Sequence, residues 1–291
     1  MGFNYQRQTM HKPLSHIAII VRKDHPEAEQ SGRDIAAWLA QAGVKATLRE
    51  HEPEKDDLRD VAPLPDLVLV LGGDGTFISA ARETLHREIP LLGVNQGKVG
   101  FLTAVEQRQW QTVLQDILDG QFSVEERTVL EYTLERDGQP IRCGLAINDV
   151  AVSRGMVARL VRLAVELDGE RRGDLRSDGL VIATPTGSTA YSISAGGPVI
   201  HPRIDAFCIT PICPFRNYFN PLVVPSDASL AVINEDKAGE VILTEDGQRA
   251  FPMQEGDRIT FRCARYPLRL LVPNGASFFS TLVTKGFLTE R

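Results

Sequence analysis

The sequence predicts an α/β region of parallel strands and covering helices, followed by a mostly antiparallel β region. Three observations carry that prediction. Short unbroken apolar runs alternate with helix-spaced stretches through the first third of the 291 residues, the pattern of strands buried on both faces beneath helices. A glycine-rich corner stands between one such run and the helix after it. Past Gly120 the texture changes to short alternating segments separated by Asp-Gly dipeptides, which mark tight hairpins.

Taken in order, Ile17 to Val21 is the first strand, and Pro26 to Ala42 is a helix whose apolar stripe holds Ile35, Ala36, Leu39 and Ala40, closed by Gly43. Lys45 to Leu48 returns as a strand. Leu67 to Leu71 and Leu91 to Val94 are apolar throughout, as strands covered on both faces are, and Phe77 to His86 between them has helical spacing. Gln107 to Leu118 is a further amphipathic helix ending at Gly120. Asp137-Gly138, Asp168-Gly169 and Asp246-Gly247 then punctuate alternating runs such as Leu160 to Leu167 and Arg258 to Arg262. Residues 178–200 differ from these, being rich in Gly, Ser, Thr and Pro, and read as a loop leading into a small-residue helix. The expected domains are 1–125, 126–275, and a tail, 276–291, packing back on the first.

Composition narrows the function. At 43% hydrophobic and 24% charged the chain matches globular averages, which disfavours disordered and membrane classes. A net charge of -6 argues against sequence-independent nucleic-acid binding, which needs dense Lys and Arg. Four cysteines, Cys143, Cys208, Cys213 and Cys263, lack any CxxC pair and read as reduced structural thiols, and the histidines show no metal spacing. No apolar signal core or membrane-length run appears, and Gln6 stands where myristoylation of Gly2 requires Ser or Thr. The expectation is a cytoplasmic protein without membrane or nucleic-acid partners.

Three clusters carry chemistry. Gly72-Gly73-Asp74-Gly75-Thr76 follows a buried strand and opens a helix, so backbone N–H groups can meet phosphate oxygens at a favourable helix end. It is neither a Walker A loop nor a GxGxxG turn. Asp74 beside phosphates suits a proton acceptor for an attacking hydroxyl or a Mg²⁺ holder; the same spacing also suits a plain turn with Asp as a cap. In the second cluster, Thr184 to Pro198, dense hydroxyls and glycines fit ribose and phosphate, and Tyr191 offers a face for a base, although a connecting loop would have similar composition. The third is Asn148-Asp149, an amide and a carboxylate that fit two vicinal ribose hydroxyls or an ordinary turn.

Together GGDGT at 72–76, GKVGFL at 97–102, Asn148-Asp149 and SDGLVIATPTGSTAYSISAGGP at 177–198 resemble the NAD kinases, over about Ile17 to Phe287. GGDGT is shared with diacylglycerol- and sphingosine-type lipid kinases; the TPTGSTAYS block is not characteristic of them. The resemblance implies a Rossmann-like parallel-sheet domain, a β-sandwich-like second domain, an active site in the cleft between them, and a homodimer or homotetramer. It implies phosphoryl transfer from ATP or another phosphoryl donor, with Mg²⁺ or another divalent metal, to the 2′-hydroxyl of the adenosine ribose of NAD, with Asp74 as proton acceptor. Gly73, Gly75, Thr76 and Phe101 are implied at the nucleotides, and Asn148 and Asp149 at ribose hydroxyls. Thr186, Thr189, Ala190, Tyr191 and Ser194 are implied as further NAD contacts, with Arg159, Arg176, Asp178 and Gln248 as additional ligands, Asp178 toward a neighbouring subunit. Two features depart from the family pattern: Asp149 replaces the commoner Glu, and Phe215 to Pro221 replaces a His-Thr-Leu-x-x-Arg-Pro-like segment. Two alternatives stand beside this reading: a diacylglycerol- or sphingosine-type lipid kinase sharing the GGDGT loop, and, from the altered segment, a non-catalytic NAD(P)(H)-binding regulator.

Overall fold

The computed structural model describes residues 14–97, 100–156, 159–215, 219–237 and 240–289. They form two compact units: Arg127–Pro267, and the residues up to Glu126 together with those from Leu268 onward.

In the first unit to be built, the elements run β1 (His16–Arg22), α1 (Pro26–Gln41), β2 (Lys45–His51), β3 (Leu67–Leu71), α2 (Asp74–Thr84), β4 (Leu91–Asn95), β5 (Val105–Glu106), α3 (Trp110–Leu118) and β6 (Phe122–Arg127). The sheet order is β2-β1-β3-β4, all parallel, with β5 beside β4. Ile17, Ile19, Leu67 and Leu69 share one core with Ile35 and Leu39, four apart on α1. Because β2 lies on one side of β1 and β3 on the other, the loops leaving the carboxyl ends of β1 and β3 diverge and open a crevice. Arg22 ends β1, Gly72 follows β3, and the Asn95–Gly97 turn leaves the carboxyl end of the neighbouring β4. Residues 268–275, expected within the β-rich domain 126–275, carry the strand Leu268–Pro273, which lies between β4 and β6 and runs parallel to β4. Its apolar residues Leu268, Leu270 and Leu271 are buried there. The helix Phe278–Thr284 follows it.

The second unit holds β7 (Leu130–Arg136), β8 (Gln139–Ala146), β9 (Asp149–Arg154), β10 (Val161–Leu167), β11 (Glu170–Ser177), β12 (Gly179–Ala183), α4 (Tyr191–Ser194), β13 (Ala206–Ile212), β14 (Leu222–Pro225), β15 (Leu230–Asn234), β16 (Val241–Glu245), β17 (Arg249–Met253) and β18 (Arg258–Cys263). Two six-stranded sheets, β11-β10-β15-β18-β7-β8 and β14-β13-β12-β9-β16-β17, are antiparallel throughout. Leu163, Val165, Val232 and Ile259 from one sheet share a core with Val150, Val152, Leu180 and Ile182 from the other, which makes a sandwich. Its Asp-Gly hairpins have left-handed backbone at both residues: φ is 50° and 73° at 137–138, 53° and 76° at 168–169, 50° and 64° at 246–247.

One sequence expectation fails here. Residues 178–200 do not begin as a loop, because Gly179–Ala183 is a fully buried strand in the middle of its sheet, and only 186–194 form the short helical turns. Among the described residues no helix is long and apolar enough to cross a membrane. The four cysteines are free thiols.

Candidate active site

At the carboxyl end of β3 the chain turns directly into α2, with Gly73 as the N-cap and Asp74 as the first helical residue. Gly73 adopts φ -90°, so the corner does not use a left-handed glycine; a side chain there would project into open space, which the glycine leaves clear. The Asp74 carboxylate is held from above by the 100–103 turn. Its Oδ2 accepts the Phe101 N–H at 2.8 Å; its Oδ1 accepts the N–H groups of Leu102 at 3.2 Å and Thr103 at 3.0 Å and the Thr103 hydroxyl at 2.8 Å. This approach is possible only over a glycine, since a Cβ on Gly100 would stand 1.9 Å from Oδ1. Thr103 is fully buried and accepts in turn from Asn95 Nδ2 at 2.8 Å. Asn95 and Thr103 thus belong to the site although nothing in their sequence context marked them.

Asp74 borders a cavity of about 380 Å³ that Arg22, His25, Gln96 and Lys285 also line. Arg22 ends β1, His25 caps α1 and Lys285 caps the Phe278–Thr284 helix, so three cationic or imidazole side chains from distant sequence meet the glycine corner. Sequence reasoning missed all three, for no motif joins them. Phe101, expected against the dinucleotide, packs at ring-centroid distances of 6.4 Å on Phe278 and 5.6 Å on Phe287. Gly75 is exposed and Thr76 half-buried in the first turn of α2. Lys98 and Val99 of the GKVGFL motif lie outside the described residues. Among the described residues no group of three or more metal-ligating side chains gathers.

On the sandwich unit a second cluster forms at one end of β9, β12 and β16. The Asp246 carboxylate accepts three consecutive backbone N–H groups, from Ile147 at 3.1 Å, Asn148 at 2.7 Å and Asp149 at 3.1 Å. Thr184 fixes the same turn from the other side, its hydroxyl donating to the Ile147 carbonyl at 2.7 Å and its N–H to that of Asn148 at 2.8 Å. Gly187 lies so close that a Cβ would meet the Asn148 carbonyl oxygen at 2.0 Å. The structure therefore brings Asn148, Asp149, Thr186, Thr189, Ala190, Tyr191 and Ser194 together with the Asp246–Gln248 turn, Tyr191, Ser194 and Gln248 being exposed. Asp149 is 4% exposed; burial and then the nearby Asp246 carboxylate push its pKa up to about 7, against the pull of a hydrogen bond from the Tyr191 backbone.

Arg159, Arg176 and Asp178 are not part of that cluster. Asp149 pairs with Ala183 and Ser153 with Gly179, so Asp178 stands at the far end of β12, about 17 Å away by strand rise. Its Oδ1 accepts from Arg154 Nε at 2.8 Å. Arg176 is exposed, 5.6 Å from the centre of the Phe215 ring, and lines a cavity of about 360 Å³ with Phe215 and Phe219. Arg159 is exposed in the loop beyond Arg154. Arg216, Asn217 and Tyr218 of the atypical segment lie outside the described residues.

Comparison with known proteins matches both units. The family described as ATP-NAD kinase N-terminal domain matches residues 51–122, and the ATP-NAD kinase C-terminal domain family matches residues 147–272. An NAD kinase of Nitratidesulfovibrio vulgaris (strain Miyazaki F) is 42% identical over 282 residues, covering 97% of this chain and 100% of the relative. One from Geobacter sulfurreducens is 38% identical over 278 residues, covering 94% and 98%. Among solved structures, yeast NADH kinase complexed with NADH superposes with a TM-score of 0.84 at 25% identity, covering 100% of this chain and 94% of that one. An NAD kinase from Archaeoglobus fulgidus in complex with ATP gives a TM-score of 0.74 at 28% identity, covering 92% and 98%. With the glycine corner, the Asn148-Asp149 turn and the hydroxyl-rich turns all inside matches that run nearly end to end, the chain belongs to the NAD kinase family.

Proposed function

We propose that the chain transfers the γ-phosphoryl group of ATP to the 2′-hydroxyl of the adenosine ribose of NAD, giving NADP and ADP, with Asp74 as the proton acceptor. The observation that carries this reading is the Asp74 carboxylate, fixed by four donors at the edge of a cavity beside the glycine corner. In the reaction the ribose O2′ forms a bond to the γ-phosphorus, the bond from that phosphorus to the β,γ-bridging oxygen breaks, and the O2′ proton passes to Asp74. Gly73, Gly75 and Thr76 leave room and backbone N–H groups for the phosphates. Asn148 and Asp149 hold ribose hydroxyls, while Thr186, Thr189, Ala190, Tyr191, Ser194 and Gln248 contact the rest of NAD. Phe101 is assigned a contact with the dinucleotide.

A magnesium ion fits this site: it binds through one or two carboxylates plus phosphate oxygens and waters, and among the described residues the cavity lining offers the Asp74 carboxylate. When bound it would neutralise charge on the transferring phosphates. The separation of Arg159, Arg176 and Asp178 from the Asp149 cluster supports assigning them to NAD bound by a second copy, in a homodimer or homotetramer. A lipid-kinase reading has no such use for the Asn148–Asp149 and 184–194 turns, and the intact Asp74 geometry disfavours a non-catalytic regulator. Incubation of the pure protein with ATP, Mg²⁺ and NAD, followed by an NADP-specific dehydrogenase, tests the proposal: NADP should accumulate, and its absence at high enzyme would reject the reading.

A further inference from the structure

Resting on that reading, we propose that Arg22, His25 and Lys285 are the side chains that grip the donor's phosphate chain, with the Gln96 amide beside them. All four line the cavity at Gly72, Gly73 and Asp74. Among the described residues neither Arg22 nor Lys285 forms a salt bridge, although Asp74 lines the same cavity; its carboxylate is turned toward the 101–103 segment, which donates to it. His25 Nδ1 accepts the Ala28 N–H at 3.3 Å, which leaves the ring proton on Nε2 as a donor. Both polar atoms of the Gln96 side chain are shielded from solvent and have no hydrogen-bond partner, a costly state that a ligand oxygen would relieve. The cavity also opens at the N-terminal ends of α1, through His25 and Ala28, and of α2, through Gly73 and Asp74, so two helix dipoles reinforce the positive field.

The occupant follows from these groups. At about 380 Å³ the space is at the small end for ligand sites, and among the described residues no aromatic ring other than the His25 imidazole lines it. It suits a polyphosphate chain, with the base of a nucleotide left outside. Lys285 gives the C-terminal helix a direct part in donor binding, which explains why the chain returns to the parallel sheet after completing the sandwich.

The test compares wild type with Arg22→Ala and Lys285→Ala, and uses Lys23→Ala, an exposed neighbour outside the cavity, as the control. KM is measured separately for ATP and for NAD, and inorganic tripolyphosphate serves as a direct probe by calorimetry and as an inhibitor. The two cavity variants should raise KM for ATP about tenfold or more and weaken tripolyphosphate equally, with KM for NAD held within about twofold and Lys23→Ala unchanged. A rise in KM for NAD instead, unaltered tripolyphosphate binding, or an equal effect of Lys23→Ala would overturn the proposal. Arg22 is exposed, so Arg22→Ala still decides the matter if Lys285→Ala unfolds. Because calorimetry needs no turnover, tripolyphosphate binding that depends on Arg22 in a protein making no NADP would reject the kinase reading and leave this one standing.

Discussion

A carboxylate that must take a proton from a sugar needs a fixed direction, and at Asp74 that direction is set by the 101–103 turn rather than by its own helix. Oδ1 carries three of the four donors and Oδ2 one, which leaves Oδ2 the less occupied oxygen for an incoming hydroxyl. Thr103→Val removes the hydroxyl bond and strands the Asn95 amide in a buried place, at a cost of about 1–3 kcal/mol. Its kcat should fall about tenfold or more with both KM values little changed, as steady-state kinetics on the folded variant would show. Asp149 makes a second prediction. Its folded pKa of about 7 lies above its ordinary 3.8, so the unfolded chain releases this proton at lower pH than the folded chain does. The group therefore reduces stability progressively as pH rises from about 4 through about 7, and the full penalty persists above that. Asp149→Asn should be more stable than wild type at about pH 8, with the gap closing toward about pH 4, as read by chemical denaturation. The gain should come with weaker NAD binding. Asp74 and Asp149 were legible in the sequence because each sits in a recognisable local string. Arg22, Asn95, Thr103 and Lys285 were not, because only tertiary structure brings them to Asp74.

Among the elements, the Asp246-Gly247 hairpin does two jobs with one dipeptide. Its left-handed backbone closes β16 onto β17, and the Asp246 carboxylate organises the 147–149 turn through three amides. Asp246→Ala should destabilise the protein by about 2–4 kcal/mol and weaken NAD binding while leaving KM for ATP unchanged, a split that melting curves and separate KM titrations would reveal. The Asp-Gly signal was readable because few residues other than Gly, Asn and Asp tolerate that backbone. The anchoring role of Asp246 was not, since it joins positions about a hundred residues apart. β12 was misread for the opposite reason: Leu180, Val181, Ile182 and Ala183 form a short apolar run of the kind that marks a buried strand, but the Gly, Ser and Thr around it dominated the composition. Nothing local in the Leu268–Pro273 strand says that it pairs with β4.

For the molecule as a whole, the proposed assembly assigns Asp178 to NAD bound by a second copy, which a mixing experiment tests. Asp74→Asn and Asp178→Ala should each be inactive alone. Mixed by unfolding and refolding together, they should recover about a quarter of wild-type activity, since half of randomly paired dimers contain one unaltered site of two. No recovery would place Asp178 in the site of its own chain or outside it. The architecture in two parts was legible because strands covered on both faces read as unbroken apolar runs, whereas strands with one solvated face alternate. The return of the C-terminal segment to the parallel sheet was expected only of residues 276–291, and it begins at Leu268. The most direct test of the central claim is turnover by Asp74→Asn, a change that keeps the side chain's size and removes its ability to take the ribose proton. NADP formation should fall at least about a thousandfold while NAD still binds to the folded variant, whose melting temperature drops only as far as one amide group facing the Phe101 N–H requires. Near-native turnover by that variant would contradict the account.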